Sequence, residues 1–463
     1  MTIVGLDDTD SREQGMCTTF VAARLAERLR ERGRVERLLL VRLNPAVKHK
    51  TRGNAALAVH TDVDPATAFD VAYETVDEAA VVDDDRTNPG LVVLPDDPDD
   101  DTPVDGRDAL AAFARAAVRD HLTIADAEAL VDHAGYRSAS WGDGRGRIGA
   151  LAAAGAWAAW RQSGADEGTG VDTDGTVAAT DPFAEWTYER ISYRERERWG
   201  TDRQVDADSA FAAADREYPL VWDTVDRETG AVVCVPHTPC PILHGVRGDD
   251  PEAVARTAAA IEGESVLHRE TFLTNQGTDA HLREGTAGEA LDGRAYRLDG
   301  TVTGAPETRR GGHVFLELTG EGGTIQCAAF EPTKHFRDRV RALRTGDELT
   351  VCGEFTDRAP DADTADGSTT GGTLKLEKFA VRDLVRTERV TPTCPDCDRR
   401  MESAGRDQGY RCRDCGTTAE GKAERPVDRD LDLGWYEVPP CARRHIAKPL
   451  VRGGFDAPTY PER

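Results

Sequence analysis

Three carboxylates crowd the start of the chain: Asp7, Asp8 and Asp10 in MTIVGLDDTDSREQGMCTTF, with Glu13 following and the hydroxyls of Thr9 and Ser11 among them. Hard oxygen ligands at this density suit Mg²⁺, and a helix N-terminus beside them suits phosphate. The positioning elements are readable locally. Ile3-Val4-Gly5-Leu6 is a short buried strand, and Phe20, Val21, Leu25 and Leu29 recur at near-helical spacing from Thr18 to Arg32. The acids thus fall in a strand-to-helix turn, where Asp and Ser also act as caps. Capping needs one or two such residues, whereas three repel one another without a cation. On this stretch alone both readings stand.

Five other stretches carry chemistry. Cys394 and Cys397 form one CxxC and Cys412 and Cys415 a second, with fourteen residues between the pairs. That spacing supplies four thiolates to a closed structural Zn²⁺ site. NPAVKHKTRGN (44–54) is free of acids and holds Lys48, Lys50, Arg52 and Asn54. Its two lysines come from seven in the whole chain, which favours a grip on phosphate over plain surface charge. GDGRGRIGALAAAG contains a formal GxGxxG with no strand before it, so it is no dinucleotide fingerprint. As a glycine-rich turn opening a helix, with Arg145 and Arg147 attached, it can still hold phosphate. No GxxxxGK[ST] occurs, so an ATP site here is not of the Walker type. HTPCPILHGVRGDDPEAV (237–254) reads as a shaped substrate loop carrying Cys240 and Arg247, with a metal on His237, Cys240 and His244 as the lesser alternative. Finally, PPCARRHIAKPLVRGG places Arg443, Arg444, His445 and Lys448 in an acid-free tail that reads as phosphate-contacting rather than salt-bridged.

The 463 residues carry a net charge of −26, with Lys seven times against fifty-one Arg. Such a balance at first argues against a nucleic-acid partner. Acidic, Lys-poor composition also suits a high-salt cytoplasm, where the Debye length shrinks to about 3 Å and local Arg contacts decide binding. The charge is a statement about solvent and does not exclude RNA. The longest uncharged apolar stretch, Ile148 to Trp160, is too short for a membrane span, and the N-terminus lacks a signal-peptide pattern. A cytoplasmic protein is expected.

Four segments follow, a multidomain α/β and α+β chain. Residues 1–165 alternate strands (3–6, 36–43, 55–60, 91–94) with helices (18–32, 65–80, 107–120, 125–134). Residues 183–275 combine a charged helix (ERISYRERERWG), a strand (AVVCV) and a helix (PEAVARTAAAI) in a small α+β unit. Residues 290–388 show five strands with one helix, TKHFRDRVRAL, after the third, the layout of an OB-fold barrel, whose usual ligand is single-stranded nucleic acid or an oligosaccharide. Another small β-barrel used for packing is the alternative. From 390 the chain is short and cysteine-bearing. Acidic loops at 95–105, 164–181 and 358–372 decorate this frame.

Taken in order, GLDDTDSREQGMCTT, LNPAVKHKTRGN, GRGRIGALAAAG, WGTDR, PHTPCPILHGVRG, TNQGTDAHL, AAFEPTKHFR, the two CxxC pairs and ARRHIAKPLVR resemble the archaeal agmatidine (2-agmatinylcytidine) synthetases that modify an isoleucine tRNA, in a haloarchaeal style. The resemblance implies a ligase that uses ATP to replace the C2 oxygen of the wobble cytidine of the CAU-anticodon tRNA by agmatine, changing decoding from AUG to AUA. It implies phosphorylation of that oxygen, displacement by the primary amine, and ATP ending as AMP and phosphates. By matching motif, Asp7, Asp8 and Asp10 would serve Mg²⁺–ATP and Thr18 would accept phosphate, with Thr19 beside it. The same resemblance implies a kinase-like domain over 1–165, a ferredoxin-like domain over 183–275, an OB barrel over 290–388, a zinc ribbon over 390–425 and a basic tail over 426–463. For the agmatine guanidinium, a carboxylate and an aromatic face are expected, with Asp202, Asp208, Asp223 and Trp222 as candidates. The competing classes are a non-catalytic OB-and-ribbon protein that binds RNA or single-stranded DNA, and an ATP-dependent RNA modifier that uses another amine.

Overall fold

A computed structural model describes residues 1–50, 53–95, 104–164, 181–357 and 371–463. The first strand, β1 (Thr2–Asp7), is buried up to its last residue and pairs antiparallel on both sides. After it come α1 (Thr18–Arg30), β2 (Val35–Arg42), β3 (Ala55–Thr61), α2 (Pro65–Ala79), β4 (Gly90–Pro95), α3 (Val104–Arg119), α4 (Ile124–Ala134), β5 (Arg137–Ser140) and α5 (Gly146–Gln162). The strands lie in the order β5-β4-β1-β3-β2, every neighbour antiparallel. Alternate side chains therefore serve two layers. Val4, Leu6, Leu38, Leu40, Leu91 and Val93 pack with α1 and α2. Ile3, Leu39, Val41, Val92 and Leu94 pack with α3, α4 and α5. The apolar stretch from Ile148 to Trp160 is part of α5, and among the described residues no helix is long and apolar enough to cross a membrane. Its small residues bring it against the sheet: a Cβ on Gly5 would meet the Ala150 carbonyl oxygen at 2.1 Å.

The second segment does not form a sheet of its own. It contributes β6 (Thr187–Arg194), α6 (Ala207–Glu217), β7 (Val221–Trp222), β8 (Ile242–Gly248), α7 (Pro251–Ala260) and β9 (Val266–Thr274). Leu39 and Leu40 of β2 pair in parallel with Leu273 and Thr274 of β9, and one nine-stranded sheet results, continuing β2-β9-β6-β8-β7. Two sequence expectations change here. ERISYRERERWG holds β6 and a short 3₁₀ turn rather than a helix, because Ile191 and Tyr193 enter the core and Arg194 pairs internally with Glu264 at 2.5 Å. AVVCV is a loop, its Val233 and Cys234 amides both donating to the Thr224 carbonyl.

The third segment contains β10 (Leu282–Glu284), β11 (Arg294–Thr308), β12 (Val314–Gly320), β13 (Gly323–Ala329), α8 (Phe336–Arg341), β14 (Glu348–Asp357) and β15 (Gly372–Asp383). Pairings β11-β12-β13-β15-β14-β11 close a five-stranded ring, with α8 between the third and fourth strands as expected. The cysteine-bearing segment holds β16 (Thr387–Val390), β17 (Glu402–Ser403), β18 (Tyr410–Arg411), β19 (Thr418–Ala419) and β20 (Ala423–Pro426). The chain then returns to the barrel: β21 (Gly434–Glu437) pairs with β15, and β22 (Thr459–Tyr460) with β21. Between them, residues 443–452 run as a strap across the joint of sheet and barrel. Most of each acidic loop lies outside the described residues.

Candidate active site

None of the opening acids caps α1. The helix starts at Thr18 with Cys17 as its N-cap and no acid in its first turn, because a tight turn closed by Ser11 N–H to Gly15 O intervenes. The acids instead form a shelf at the end of β1. Asp7 accepts from the Asp8 amide at 2.7 Å, and Asp8, at φ 58°, accepts from the Asn88 amide at 2.9 Å. A left-handed aspartate is uncommon, and such strain gathers at functional sites. The buried hydroxyl of Thr87 donates to the Asp10 carbonyl and that of Ser11 to Asp84, fixing the shelf to the 81–88 loop. Glu13 turns outward to Arg86.

The first turn of α5 abuts this shelf. A Cβ on Gly149 would lie 1.9 Å from Asp7 Oδ2, and one on Gly146 would lie 2.4 Å from the Gly90 amide. The GxGxxG glycines thus permit close approach. Burial, then Asp8 and Asp10, push the Asp7 carboxyl well above the usual carboxylate range. An anionic cluster under that pressure fits a divalent cation, whose binding would relieve it.

Three cavities meet here. One of about 500 Å³ is lined by Asp7, Asp8, Asp10, Lys50 and Arg145, with an apolar wall including Leu43, Val47, Leu122, Ile124 and Ile148. A second, of about 620 Å³, holds Thr18, Thr19, Arg42, Glu189, Cys240 and Arg247. The third, of about 680 Å³, is lined by Arg12, Lys48, His49, Lys50, Lys375 and Arg444 among others. Gly53 borders all three, Asp10 the first two, and Arg12, Arg42 and His445 the last two.

Most of the expected residues converge, with particular partners. Thr18 is buried, its hydroxyl accepting from the Thr9 hydroxyl at 3.1 Å; the Thr19 hydroxyl lies 3.1 Å from the Cys17 thiol. Since Thr9 sits between Asp8 and Asp10, Thr18 is the threonine tied to the acids. Lys48 and Lys50 line the cationic cavity with Lys375, so three of the chain's seven lysines share one space. Burial, then Arg444 and Lys375, lower the Lys50 pKa, with Glu354 opposing. Asn54 borders the same space and donates to the Asn44 carbonyl, shaping the loop. Arg52 lies outside the described residues. Arg145 reaches the acidic cavity while pairing with Asp143, whereas Arg147 is held by Glu128 and does not line it.

The 237–247 stretch lines the second cavity. Cys240 is buried with its thiol 3.0 Å from Arg203, and Arg247 approaches Glu189 at 3.6 Å. His244 is buried and held neutral, its pKa pulled to about 4 by burial and Arg269. His237, Cys240 and His244 do not form a metal cluster; among the described residues such groupings are the four ribbon cysteines and Glu228 with His335 and Glu462. None of Asp202, Asp208, Asp223 and Trp222 lines this cavity; Asp223 is bound to Arg443 and Trp222 donates to Asp249. The carboxylates in its wall are Asp10 and Glu189, the latter hydrogen-bonded by Gln276. Glu189 carries no sequence signal. Arg12 and Lys375 do carry one, the first as a cation inside an acidic loop, the second as a rare lysine.

The tail residues have internal partners. Arg443, 2 % exposed, contacts Asp223 and Glu437; Arg444 contacts Glu354 and Glu377; Lys448 contacts Glu185. These charges staple the strap to both bodies, so the arrangement is the salt-bridged alternative. His445 alone of the four opens into two of the cavities without an ion-pair partner among the described residues. Cys394, Cys397, Cys412 and Cys415 bring their sulfurs within 4.8 Å of one another, a set that fits tetrahedral zinc.

Domain models described as the TiaS TCKD domain, the TiaS FLD domain and the TiaS C-terminal zinc ribbon domain match residues 3–63, 144–281 and 391–431. An isoleucine-tRNA 2-agmatinylcytidine synthetase TiaS of Haloquadratum walsbyi is 50% identical over 503 aligned residues, covering all of both chains. The chain belongs to the TiaS family. The TiaS of Methanosarcina mazei is 44% identical across 97% of each chain. A crystal structure of TiaS in complex with isoleucine tRNA and ATP superposes with a TM-score of 0.81 at 37% identity, covering 100% of this chain and 99% of that one. A complex of TiaS with isoleucine tRNA, AMPCPP and agmatine gives 0.78 at 36% identity, again over 100% and 99%. The TiaS architecture of a multidomain α/β chain with a C-terminal four-cysteine ribbon is therefore this chain's own.

Proposed function

We propose that this TiaS-family chain joins agmatine to C2 of the wobble cytidine of the CAU-anticodon isoleucine tRNA, driven by ATP. The supporting observation is the junction of the acidic cavity with the Thr18 cavity at Asp10 and Gly53. Activation and displacement can thereby occur in adjoining spaces.

Cytosine C2 is a poor electrophile, and its oxygen leaves only once phosphorylated. Phosphoryl transfer is accelerated mainly by positioning and charge stabilisation. Asp7, Asp8 and Asp10 would hold Mg²⁺, which supplies charge neutralisation on the phosphates. Lys48, Lys50 and Arg52 would offset further phosphate charge; Lys50 and Arg145 border the acidic cavity, and Lys48 the adjoining cationic one. The apolar wall of Leu43, Val47, Ile124 and Ile148 suits an adenine ring. Thr18, tethered to Thr9, is the hydroxyl to accept phosphate. The cytidine and agmatine would share the 620 Å³ cavity, where Glu189, beside Arg247 and Arg42, is the carboxylate that a guanidinium would meet.

On this reading 1–165 is the kinase-like domain and 183–275 the ferredoxin-like one, joined through β2 and β9. The closed ring of 290–388 is an OB barrel that, with the ribbon of 390–425, holds RNA, while 426–463 is the C-terminal tail whose strap, 443–452, ties barrel to sheet. The place of work is the cytoplasm, where tRNA and ATP are found. Radiolabelled agmatine, ATP, Mg²⁺ and a CAU isoleucine tRNA transcript in molar KCl provide the test. The expected result is label in the tRNA that disappears when the wobble cytidine is changed. An unlabelled tRNA that still binds the folded protein would refute the reading.

A further inference from the structure

The strap holds one side chain out toward the chemistry. The His445 carbonyl accepts from the Gly277 amide at 2.8 Å, and the Ile446 carbonyl from Thr278 and Asp279 at 3.1 and 2.9 Å. Arg443 and Arg444, immediately before it, are fixed by two carboxylates each. The backbone is thus clamped on both sides of His445. Its side chain is exposed where it borders two of the cavities. The imidazole passes close to the chain opposite, since a Cβ on Gly53 would lie 3.5 Å from its Cδ2. Among the described residues no hydrogen bond engages either ring nitrogen.

The guanidiniums of Arg247, buried, and Arg42, part-buried, line the same cavity as the ring and act on it electrostatically, and Asp10, Arg12, Glu189 and Cys441 are also in the wall. Arg247, burial and Arg42 together hold the imidazole far below the usual histidine range, so it stands neutral with a lone pair available.

We propose that His445 is a catalytic residue, the base that receives the proton shed by the amine as it bonds to C2; this rests on the reading above. The neutral primary amine of agmatine forms the C2–N bond, and the C2–O bond breaks, the phosphate leaving with the electron pair. The new nitrogen, cationic on an electron-poor ring carbon, is far more acidic than a free alkylammonium, so a weak base suffices. The imidazole takes its proton. The resulting imidazolium, pressed by Arg42 and Arg247, passes that proton to the departing phosphate and is neutral again.

The test uses the full chain and follows both half-reactions. Positioned bases contribute about a hundredfold to ten-thousandfold. In His445→Ala, transfer of radiolabelled agmatine should fall by about a hundredfold or more. Phosphorylated tRNA should then accumulate, and added imidazole should restore part of the transfer rate. His445→Gln, which preserves bulk and polarity, should show the same accumulation. Wild-type transfer in either variant would overturn the proposal. So would equal loss of phosphorylation and transfer without imidazole rescue, since that marks a structural role. Absence of transfer by the wild-type protein in the same assay would instead defeat the underlying reading.

Discussion

Gly149 and Asp7 are matched at close range: a methyl group on Gly149 would stand 1.9 Å from the Asp7 Oδ2. The start of α5 thereby forms one wall of the acidic shelf. Gly149→Ala should push Asp7 aside and lower ATP cleavage by about a hundredfold, the scale of a misplaced catalytic group. Steady-state measurement of AMP release checks this, with tRNA affinity as the control for folding. An alanine variant at wild-type rate would remove Asp7 from the nucleotide site.

The two adjacent threonines should separate cleanly. Thr18→Ala should abolish agmatine transfer, because its hydroxyl is the one tied through Thr9 to the acids. Thr19→Ala should retain most of it, since the Thr19 hydroxyl meets Cys17 instead. Phosphoamino-acid mapping after incubation with labelled ATP should place label at 18. Label at 19 would reverse the assignment.

Arg443 distinguishes a staple from an RNA contact. Its guanidinium is buried between Asp223 and Glu437, and breaking such a pair costs about 3–5 kcal/mol. Arg443→Ala should lower the denaturation midpoint measured in molar KCl by a corresponding amount. A stable variant with weakened tRNA affinity and a shallower salt dependence would restore the phosphate-contacting reading.

How far such features are legible in the sequence depends on where the partners lie. The strands and helices around β1 and α1 are readable because each strand is apolar on both faces and each helix has a periodic stripe. β6 reads as a helix because Arg194, a charge in the pattern, is satisfied by Glu264 seventy residues away. Arg443 misleads likewise: its partner Asp223 is 220 residues distant, and a run of charges does not disclose who answers them. The shared sheet is hidden for a related reason, since two residue pairs between β2 and β9 join segments that composition separates. The acids are legible as a cluster, and the GxGxxG as a helix start, but their mutual contact is not.

Acid sensitivity should localise to Glu377 of β15, where the strap's Arg444 is held. Burial would raise the Glu377 carboxyl, but His281, Arg444 and Lys378 overcome it and hold the pKa at about 2, against an ordinary 4.5. The folded state thus binds this proton less readily than the unfolded one. Its contribution is complete above pH 4.5 and is lost as the pH falls from there toward 2, a difference of about 3 kcal/mol. Thermal melts of Glu377→Gln should show a shallower decline over that window than wild type. Parallel curves would exclude Glu377 as the group responsible.

Zinc should matter for RNA and not for nucleotide. Cys394→Ser or prolonged chelation should weaken tRNA binding while ATP affinity persists, because the four sulfurs sit outside all three cavities. Titration of both ligands on zinc-depleted protein checks this. Equal loss of both affinities would mean that the ribbon supports the whole fold.

The most direct measurement is mass spectrometry of the wobble nucleoside after incubation with ATP and Mg²⁺ in molar KCl, with and without agmatine. The account predicts agmatine at C2 when the amine is present and a phosphorylated cytidine when it is absent, with ATP converted to AMP. Unmodified cytidine in both tubes, with tRNA bound and ATP consumed, would contradict it.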